Sequence, residues 1–483
     1  MKLFAAFLVL FVLIASHTEP GSVNDKSRMA GVESLLERNT IRTEGSFYFN
    51  RLDMVFFKDH FYSDKPPLLS LYSAAILWPV HVFVSFGDEE GRAVLYYLTV
   101  VLASGFSLAA IFYFLSRALK AVHAAPKASF LSLTFIFFGS ILLPFGTTYN
   151  NHAVEAALLC GAFWMLLKYR TANDVWAPVG CAVFLGLSSL VHLVTGMVFL
   201  GTTTLYFLTQ NVRDFLKYFF TVCLILAAGL GLNKLLYDEW KPFYLMPETY
   251  LYDKSYWLTY PTTPGLTHEK IVQRFDELNL PEEWKIRTLA YFHAYRQKRE
   301  NTAVFAGKRF VQYDYLIFTP IFLIGLWAAG RSLFRKDFLF KKETLWVLAG
   351  TAGTYAVLLG LRSDPGWSFG DRHLLPVVPL VLFFSAFYFE KEDNRIFFRW
   401  VFWVLFSAAL TGVAQPWKTP PISFFYWNLA LGALLLGVEG LRHRWSGLNR
   451  AFLALDGFLV RRPWMVVPVL AGLFVWQFSL YAS

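Results

Sequence analysis

The chain has 483 residues, of which 56% are hydrophobic, 19% aromatic and only 16% charged. Apolar runs recur from end to end, which excludes a soluble globular domain and a disordered chain. The net charge of +10 falls in short basic clusters between those runs, at 117–127, 168–170, 213–217, 331–342, 391–399 and 442–450. That is the pattern of cytoplasmic loops in an all-α, polytopic membrane protein, and it leaves little for a nucleic-acid partner.

The first run, MKLFAAFLVLFVLIASHTEP, has the lysine, apolar core and small residue that suit either a secretory signal peptide or a first transmembrane helix. The reading taken is an uncleaved helix with Lys2 inside, because the later charge pattern requires the next segment to lie outside. Residues 17–67 then form a first external loop. Within it, Met29, Val32, Leu35 and Leu36 share one face of SVNDKSRMAGVESLLERNT, which predicts an amphipathic helix on the membrane surface. Asp25, at its start, is either a helix N-cap or a carboxylate able to accept a proton from an attacking hydroxyl.

FYSDKPPLL closes the loop. Two prolines stiffen the backbone and start a helix, holding Lys65 at its mouth. A lysine beside a helix N-terminus is unfavourable unless an anion lies between them. A phosphate would supply that anion, with Tyr62 as a hydroxyl donor; a snorkelling Lys65 paired with Asp64 would serve as well. The next apolar segment, 68–92, carries Trp78-Pro79 and His81. If it spanned the bilayer, every later basic loop would be inverted, so it is placed outside as a juxtamembrane element.

Spans are expected at 94–115, 128–145, 153–167, 175–190, 194–208, 218–235, 315–329, 344–361, 374–389, 400–413, 422–438 and, last, 464–480. With the first helix this makes about thirteen, putting the N-terminus in the cytoplasm and the C-terminus outside. A single membrane domain thus covers 1–483, with a second large external loop at 237–312. That loop is too aromatic to be disordered and too long to be a mere connection. The cysteines Cys160, Cys181 and Cys223 fall in apolar runs and read as buried small hydrophobes, without disulfide or metal spacing.

Two further stretches carry polar groups to the outer ends of spans. GTTYNNHAVEAALL offers Asn150, Asn151 and His152, which either cap a helix or bind a sugar, and Glu155 one turn further in. RSDPGWSFGDRHLLPVVP offers Asp371 and Arg372, the latter a planar fork for phosphate oxygens or an interfacial anchor. His192 reads as a turn residue.

The order of these parts resembles the GT-C membrane glycosyltransferases, in particular the lipid A aminoarabinose transferases and the protein O-mannosyltransferase superfamily. Asp25-Lys26-Ser27-Arg28 is similar to their Asp-x-x-Arg element, and Tyr62-Ser63-Asp64-Lys65-Pro66 to their Tyr-Phe-Glu-Lys-Pro element. GDEEGR resembles the acidic-to-Arg loop that comes after their juxtamembrane helix, and Gly370, Arg372 and Pro376 match a later Gly-x-Arg and Pro pattern. The likeness is specific over about the first quarter of the chain. It implies Asp25 as the catalytic carboxylate that activates an acceptor hydroxyl for inverting attack. Lys65 with Tyr62 would hold the phosphate of a polyprenyl-phosphate sugar, and Arg372 would stabilise the leaving phosphate. Arg28, Asp64, Asn150, Asn151, His152, Glu155 and Asp371 are further substrate-binding candidates. Where many members carry a second acidic residue, this chain has Asn150, Asn151 and His152. It also lacks a paired Asp-x-Asp, so no required metal or other cofactor is expected.

These readings converge on an enzyme of the bacterial inner membrane with its active site facing the periplasm. It would move a sugar from a polyprenyl-phosphate donor to an envelope lipid, glycan or protein. The alternatives are a flippase that moves lipid-linked sugars without breaking a bond, and a scaffold whose loops bind proteins. Transport calls for charges near the middle of several spans, whereas here they gather at one face.

Overall fold

The structure, a computed structural model, describes residues 2–49, 53–243, 246, 321–336, 338–360, 372–414 and 466–482, with isolated positions between 434 and 454. Gly370, Asp371, most of the 237–312 loop and most of the span expected at 422–438 lie outside the described residues.

The chain begins with α1 (Lys2–Ala15), which buries Phe4, Leu8 and Val12 and leaves Leu3, Leu10 and Ile14 exposed. An apolar helix that is exposed on an apolar side has lipid as its natural solvent. Its end is fastened by His17, whose N–H donates to the Thr147 carbonyl at 3.1 Å and whose Nε2 lies 2.8 Å from the Val413 carbonyl oxygen. Three distant parts of the chain are thereby gathered at one end of the bundle.

The first-loop helix is α2 (Val23–Arg38). Ser22 is its N-cap, with a side-chain oxygen that accepts the Asp25 N–H at 3.1 Å. Asn39 ends it in the left-handed region at φ 50°. Two findings revise the sequence reading. Asp25 is the third helical residue rather than the cap. The helix is also buried from Met29 to Ser34, polar Glu33 and Ser34 included, instead of floating on one apolar face.

Next comes a β-hairpin that the all-helical expectation omitted, β1 (Met54–Phe57) and β2 (His60–Ser63), with Met54 opposite Ser63 and Val55 opposite Tyr62. Lys58 and Asp59 both take positive φ, 49° and 62°, as a two-residue hairpin turn of this hand requires. Residues alternate between its faces. Met54 and Phe61 join the core beneath α2, while Val55 and Tyr62 pack with Ile41, Tyr237, Phe243 and Met246 on the other side.

After Pro66, α3 (Pro67–His81) lies across α2, so closely that a Cβ on Gly31 would stand 3.3 Å from Ser70 Oγ. Its far end exposes Trp78, with Val82 and Phe83 just beyond. Asp88 caps α4 (Glu89–Thr99), which continues through a π-helical turn, Val100–Gly105, into α5 (Phe106–Ala121). This continuous helix of 33 residues and α11 (Val212–Tyr237) of 26 residues are long and apolar enough to cross a bilayer by themselves.

Between them lie α6 (Pro126–Phe138), α7 (Leu142–Gly146), α8 (Asn151–Ala172), α9 (Ala177–Val191) and α10 (Leu193–Leu208). The span expected at 128–145 is broken between α6 and α7. Later come α12 (Ile321–Phe334), α13 (Lys341–Gly360), α14 (Leu375–Tyr388), α15 (Glu392–Ala414) and α16 (Val466–Ala482). Several of these are apolar but shorter than a standard span.

One large core joins α1 and α5–α10 to α12–α15 and is rich in rings. Phe163 stacks on Trp346 at 6.1 Å and meets Phe383 edge-on at 5.1 Å. Cys160 and Cys181 are buried in it as expected, but Cys223 is exposed on α11.

The corner between α9 and α10 consists of His192 alone, in an extended conformation. It is this tight because Gly196 abuts the backbone of Ser189: an added Cβ would fall 2.5 Å from the Ser189 nitrogen. Gly196→Ala should therefore destabilise the protein by about 1–3 kcal/mol. Gly201→Ala, where nothing lies within 4 Å, should be neutral or slightly stabilising. Thermal unfolding of both variants in detergent checks the pair, and equal melting temperatures would refute the packing argument.

Candidate active site

The site grows from the start of α2. Asp25 is fully buried. Its Oδ2 accepts a hydrogen bond from the Tyr96 hydroxyl of α4 at 3.2 Å, and its Oδ1 has no hydrogen-bond partner among the described residues. Burial drives its pKa up from 3.8 to about 7. The rise is held in check first by the Arg28 guanidinium, then by the hydroxyls of Ser22 and Tyr96, and by Arg372. A carboxyl poised near neutrality with one unengaged oxygen suits a general base.

Arg28 sits one helical turn along the same helix. Its Nη1 donates to the Asn24 carbonyl at 3.3 Å, and its Nη2 donates to Asn151 Oδ1 at 2.6 Å. This bond ties the first loop to the start of α8, 123 residues away in sequence. Arg372, in the turn before α14, bears electrostatically on both Asp25 and His152. Asp25, Arg28, Asn151, His152 and Arg372 thus gather at one end of the bundle.

Other candidates are placed differently. Asn150 is the α8 cap: its Oδ1 accepts from the His152 and Ala153 N–H groups at 3.0 and 3.1 Å, and its amide donates to the Thr148 carbonyl at 3.1 Å. That leaves it little to offer a sugar. Lys65 already has its anions. Its Nζ lies 3.0 Å from buried Asp64 and 3.5 Å from Asp53. The need inferred for a phosphate beside this helix mouth is met by two carboxylates. Lys65 reaches towards α2 through its backbone N–H, 3.2 Å from Ser63 Oγ, which lies 2.7 Å from Ser27 Oγ. Tyr62 points to the other face of the hairpin, against Tyr237 at 5.2 Å and Phe243 at 5.8 Å.

Some functional neighbours had no sequence signal of their own. Tyr96 stands out in no motif, yet holds Asp25. Tyr149 donates to the Leu69 carbonyl at 3.3 Å and accepts from Ser73 at 2.8 Å, which pins α3 to the start of α8. His192 and His373 stand with His152, ring centroids 5.0 to 5.8 Å apart, and Glu155 Oε2 lies 3.0 Å from His192 Nδ1. Chain separation hid this group: one ring comes from α8, one from the α9–α10 corner and one from the turn before α14.

A bundle of apolar helices with a layer at one end that buries a carboxylate beside arginines has the build of a membrane protein. No family model matches the sequence, and comparison with curated proteins finds no match. Among solved structures, the chain is similar to ArnT from Cupriavidus metallidurans bound to undecaprenyl phosphate. All of this chain superposes on 75% of that one, with a TM-score of 0.54 and 12% identity. It is also similar to the Archaeoglobus fulgidus oligosaccharyltransferase in complex with Zn and sulfate, where 87% of this chain covers 54% of that one at 13% identity and a TM-score of 0.45. Both are GT-C glycosyltransferases. The fold assignment rests on the ArnT structure: this chain has the GT-C fold.

Burying Asp25 has a cost with a defined sign. Its folded pKa lies above its unfolded value, so the penalty is absent below about pH 4, grows as pH rises and is complete above about 7. Asp25→Asn keeps the shape and the acceptor for Tyr96 without the charge. At pH 8 it should raise stability by up to about 4 kcal/mol, and near pH 4 by almost nothing. Melting temperatures across this range provide the check; a destabilised variant at pH 8 would contradict it.

Proposed function

We propose that the protein is a membrane glycosyltransferase that moves one sugar from a polyprenyl-phosphate carrier to an envelope acceptor at the outer face of the inner membrane. The observation that carries this reading is Asp25: a buried carboxylate with a pKa near 7, held by Tyr96, facing the charge of Arg28 and Arg372. Asp25 Oδ1 takes the proton of the acceptor hydroxyl as its oxygen attacks the anomeric carbon from the face opposite the phosphate. The bond from that carbon to the phosphate oxygen breaks, the polyprenyl phosphate leaves with the bonding pair, and the configuration inverts.

Arg372 is the group we assign to the charge gathering on the leaving phosphate, since a guanidinium fork matches its oxygens. Lys65 acts as a reserve cation at the rim, able to trade Asp53 for a phosphate oxygen while Asp64 holds it. Tyr62 is given a packing role, seating the hairpin on Tyr237. Arg28, fixed by Asn151, sets the field around Asp25. The large external loop selects the acceptor in this scheme, and the chain as a whole forms a single membrane domain of about thirteen spans. The likeness to an ArnT bound to undecaprenyl phosphate supports the donor class.

Sugar release from labelled polyprenyl-phosphate donors, with envelope lipids as acceptors, tests the reading on purified protein. Asp25→Asn should lose about 10²–10⁴-fold in activity. Wild-type kcat/KM should rise with pH through an apparent pKa of about 7, because the base must first lose its proton. Arg372→Gln removes a charge that favours the carboxylate, so its acid limb should shift to higher pH as its rate falls. Undiminished activity in Asp25→Asn would sink the base assignment. Vesicles that translocate the lipid-linked sugar without bond cleavage would establish the flippase instead.

A further inference from the structure

The three histidines beyond Asp25 form a set for which sugar transfer by Asp25 has no use. His152, His192 and His373 present ring nitrogens that all lie within 4.8 Å of one another. Glu155, entirely buried, brings a fourth donor: Oε2 is 3.0 Å from His192 Nδ1 and 4.0 Å from His152 Nδ1. The shorter contact pairs Glu155 with His192, and His152 Nδ1 is buried without a hydrogen-bond partner among the described residues. A buried ring nitrogen left bare beside two further imidazoles and a carboxylate is costly unless something lies between them.

From this geometry we propose that His152, His192, His373 and Glu155 bind a zinc ion. Three neutral imidazoles and one carboxylate match zinc in donor type and number, and separations of 3.0 to 4.8 Å need only small rotamer shifts to close on a tetrahedral ion. Magnesium and calcium, which prefer all-oxygen shells, do not suit a nitrogen-rich set. As a neutral ring each imidazole has one lone pair to give, and Glu155 offsets half of the ion's charge. Arg28 and Arg372 are the cations that face His152, from α2 and from the turn before α14.

The site has a structural consequence. His152 neighbours Asn151, which holds Arg28, and His373 neighbours Arg372. A bound zinc fastens the ends of α8, α9–α10 and α14 together and so fixes both arginines about Asp25. The absence of a paired Asp-x-Asp gave no reason to expect a metal from the sequence; the folded chain brings together a histidine set instead. The proposal stands apart from the identity of donor and acceptor.

Elemental analysis of the full-length protein purified in detergent should find about one zinc per chain. After chelator treatment, zinc chloride should raise the melting temperature, magnesium chloride should not, and cobalt chloride should give the visible absorption of a tetrahedral nitrogen–oxygen site. His192→Ala with His373→Ala should lose the metal, the cobalt spectrum and the thermal shift, while His81→Ala, far from the set, should keep all three. The proposal is overturned if wild type takes up neither zinc nor cobalt, if magnesium stabilises as well as zinc, or if His81→Ala loses metal to the same extent. The wild-type measurements decide the matter even if the double variant fails to fold, and none depends on sugar transfer.

Discussion

The structure at this end of the bundle is organised around one costly act, the burial of the Asp25 carboxylate. Taken alone, an ionised carboxylate out of water is worth several kcal/mol of penalty. The fold lowers it with a hydroxyl from Tyr96 and the fields of Arg28 and Arg372. It does not remove it, so the group is left near neutrality with one oxygen uncommitted. Complete compensation, by a bidentate arginine or several N–H donors, would have produced an inert ion pair. A carboxyl suited to taking and returning protons needs partial compensation.

Partial compensation works only if the partners cannot drift, which accounts for how firmly α2 is held. Three independent ties fix it: Ser27 to Ser63 and the Asp53 carbonyl of the hairpin, Gly31 against Ser70 of α3, and Arg28 to Asn151 of α8. Tyr149 bonds α3 to the same helix start. The hairpin and α3 thus act as a clamp. Glu33 extends it by accepting from Ser46 at 2.5 Å and from the Phe47 N–H at 3.0 Å, which draws the loop of residues 40–49 over the buried helix. So many polar residues on an interior helix are tolerable because nearly all have named partners.

Much of this was legible in the sequence wherever the cause was local. Apolar runs announced the bundle, the face shared by Met29, Val32, Leu35 and Leu36 announced a helix, and Pro66-Pro67 announced the start of α3. Asp25 and Arg372 could be singled out because charges are rare in such a chain and these stood at helix ends, and Arg28 because Asp25-Lys26-Ser27-Arg28 resembles an Asp-x-x-Arg element. What escaped notice depended on distant pairing. The hairpin turn is Lys58-Asp59, without the glycine that usually marks positive φ, so composition gave no cue. The burial of α2 on several sides comes from α3 and the hairpin closing over it, which its own periodicity cannot reveal. His192 looked like a turn residue and is one, but the same turn aims its ring at His152 and His373. Lys65 has only its helix and Asp64 beside it in sequence, whereas Asp53, twelve residues earlier, completes its surroundings.

Lys65 shows how the two layers share their tasks. In the bundle, order comes from close apolar packing, with Gly146 and Gly350 so tightly enclosed by Leu108 and Phe199 that a larger residue would have to displace those side chains. In the layer formed by α2, the hairpin and α3, order comes from charge and hydrogen bonds, which can be exchanged. A lysine held between Asp64 and Asp53 is neutralised for folding, yet it can give up the longer of the two contacts to another anion without leaving its place. Asn150, by contrast, spends its whole side chain on capping α8 and has nothing left to exchange. The residues that can act are therefore those whose partners can be exchanged or leave an atom uncommitted. By that measure Asp25 keeps an uncommitted oxygen and Lys65 a contact that can be exchanged, whereas Asn150 and Tyr62 are committed to the frame around them.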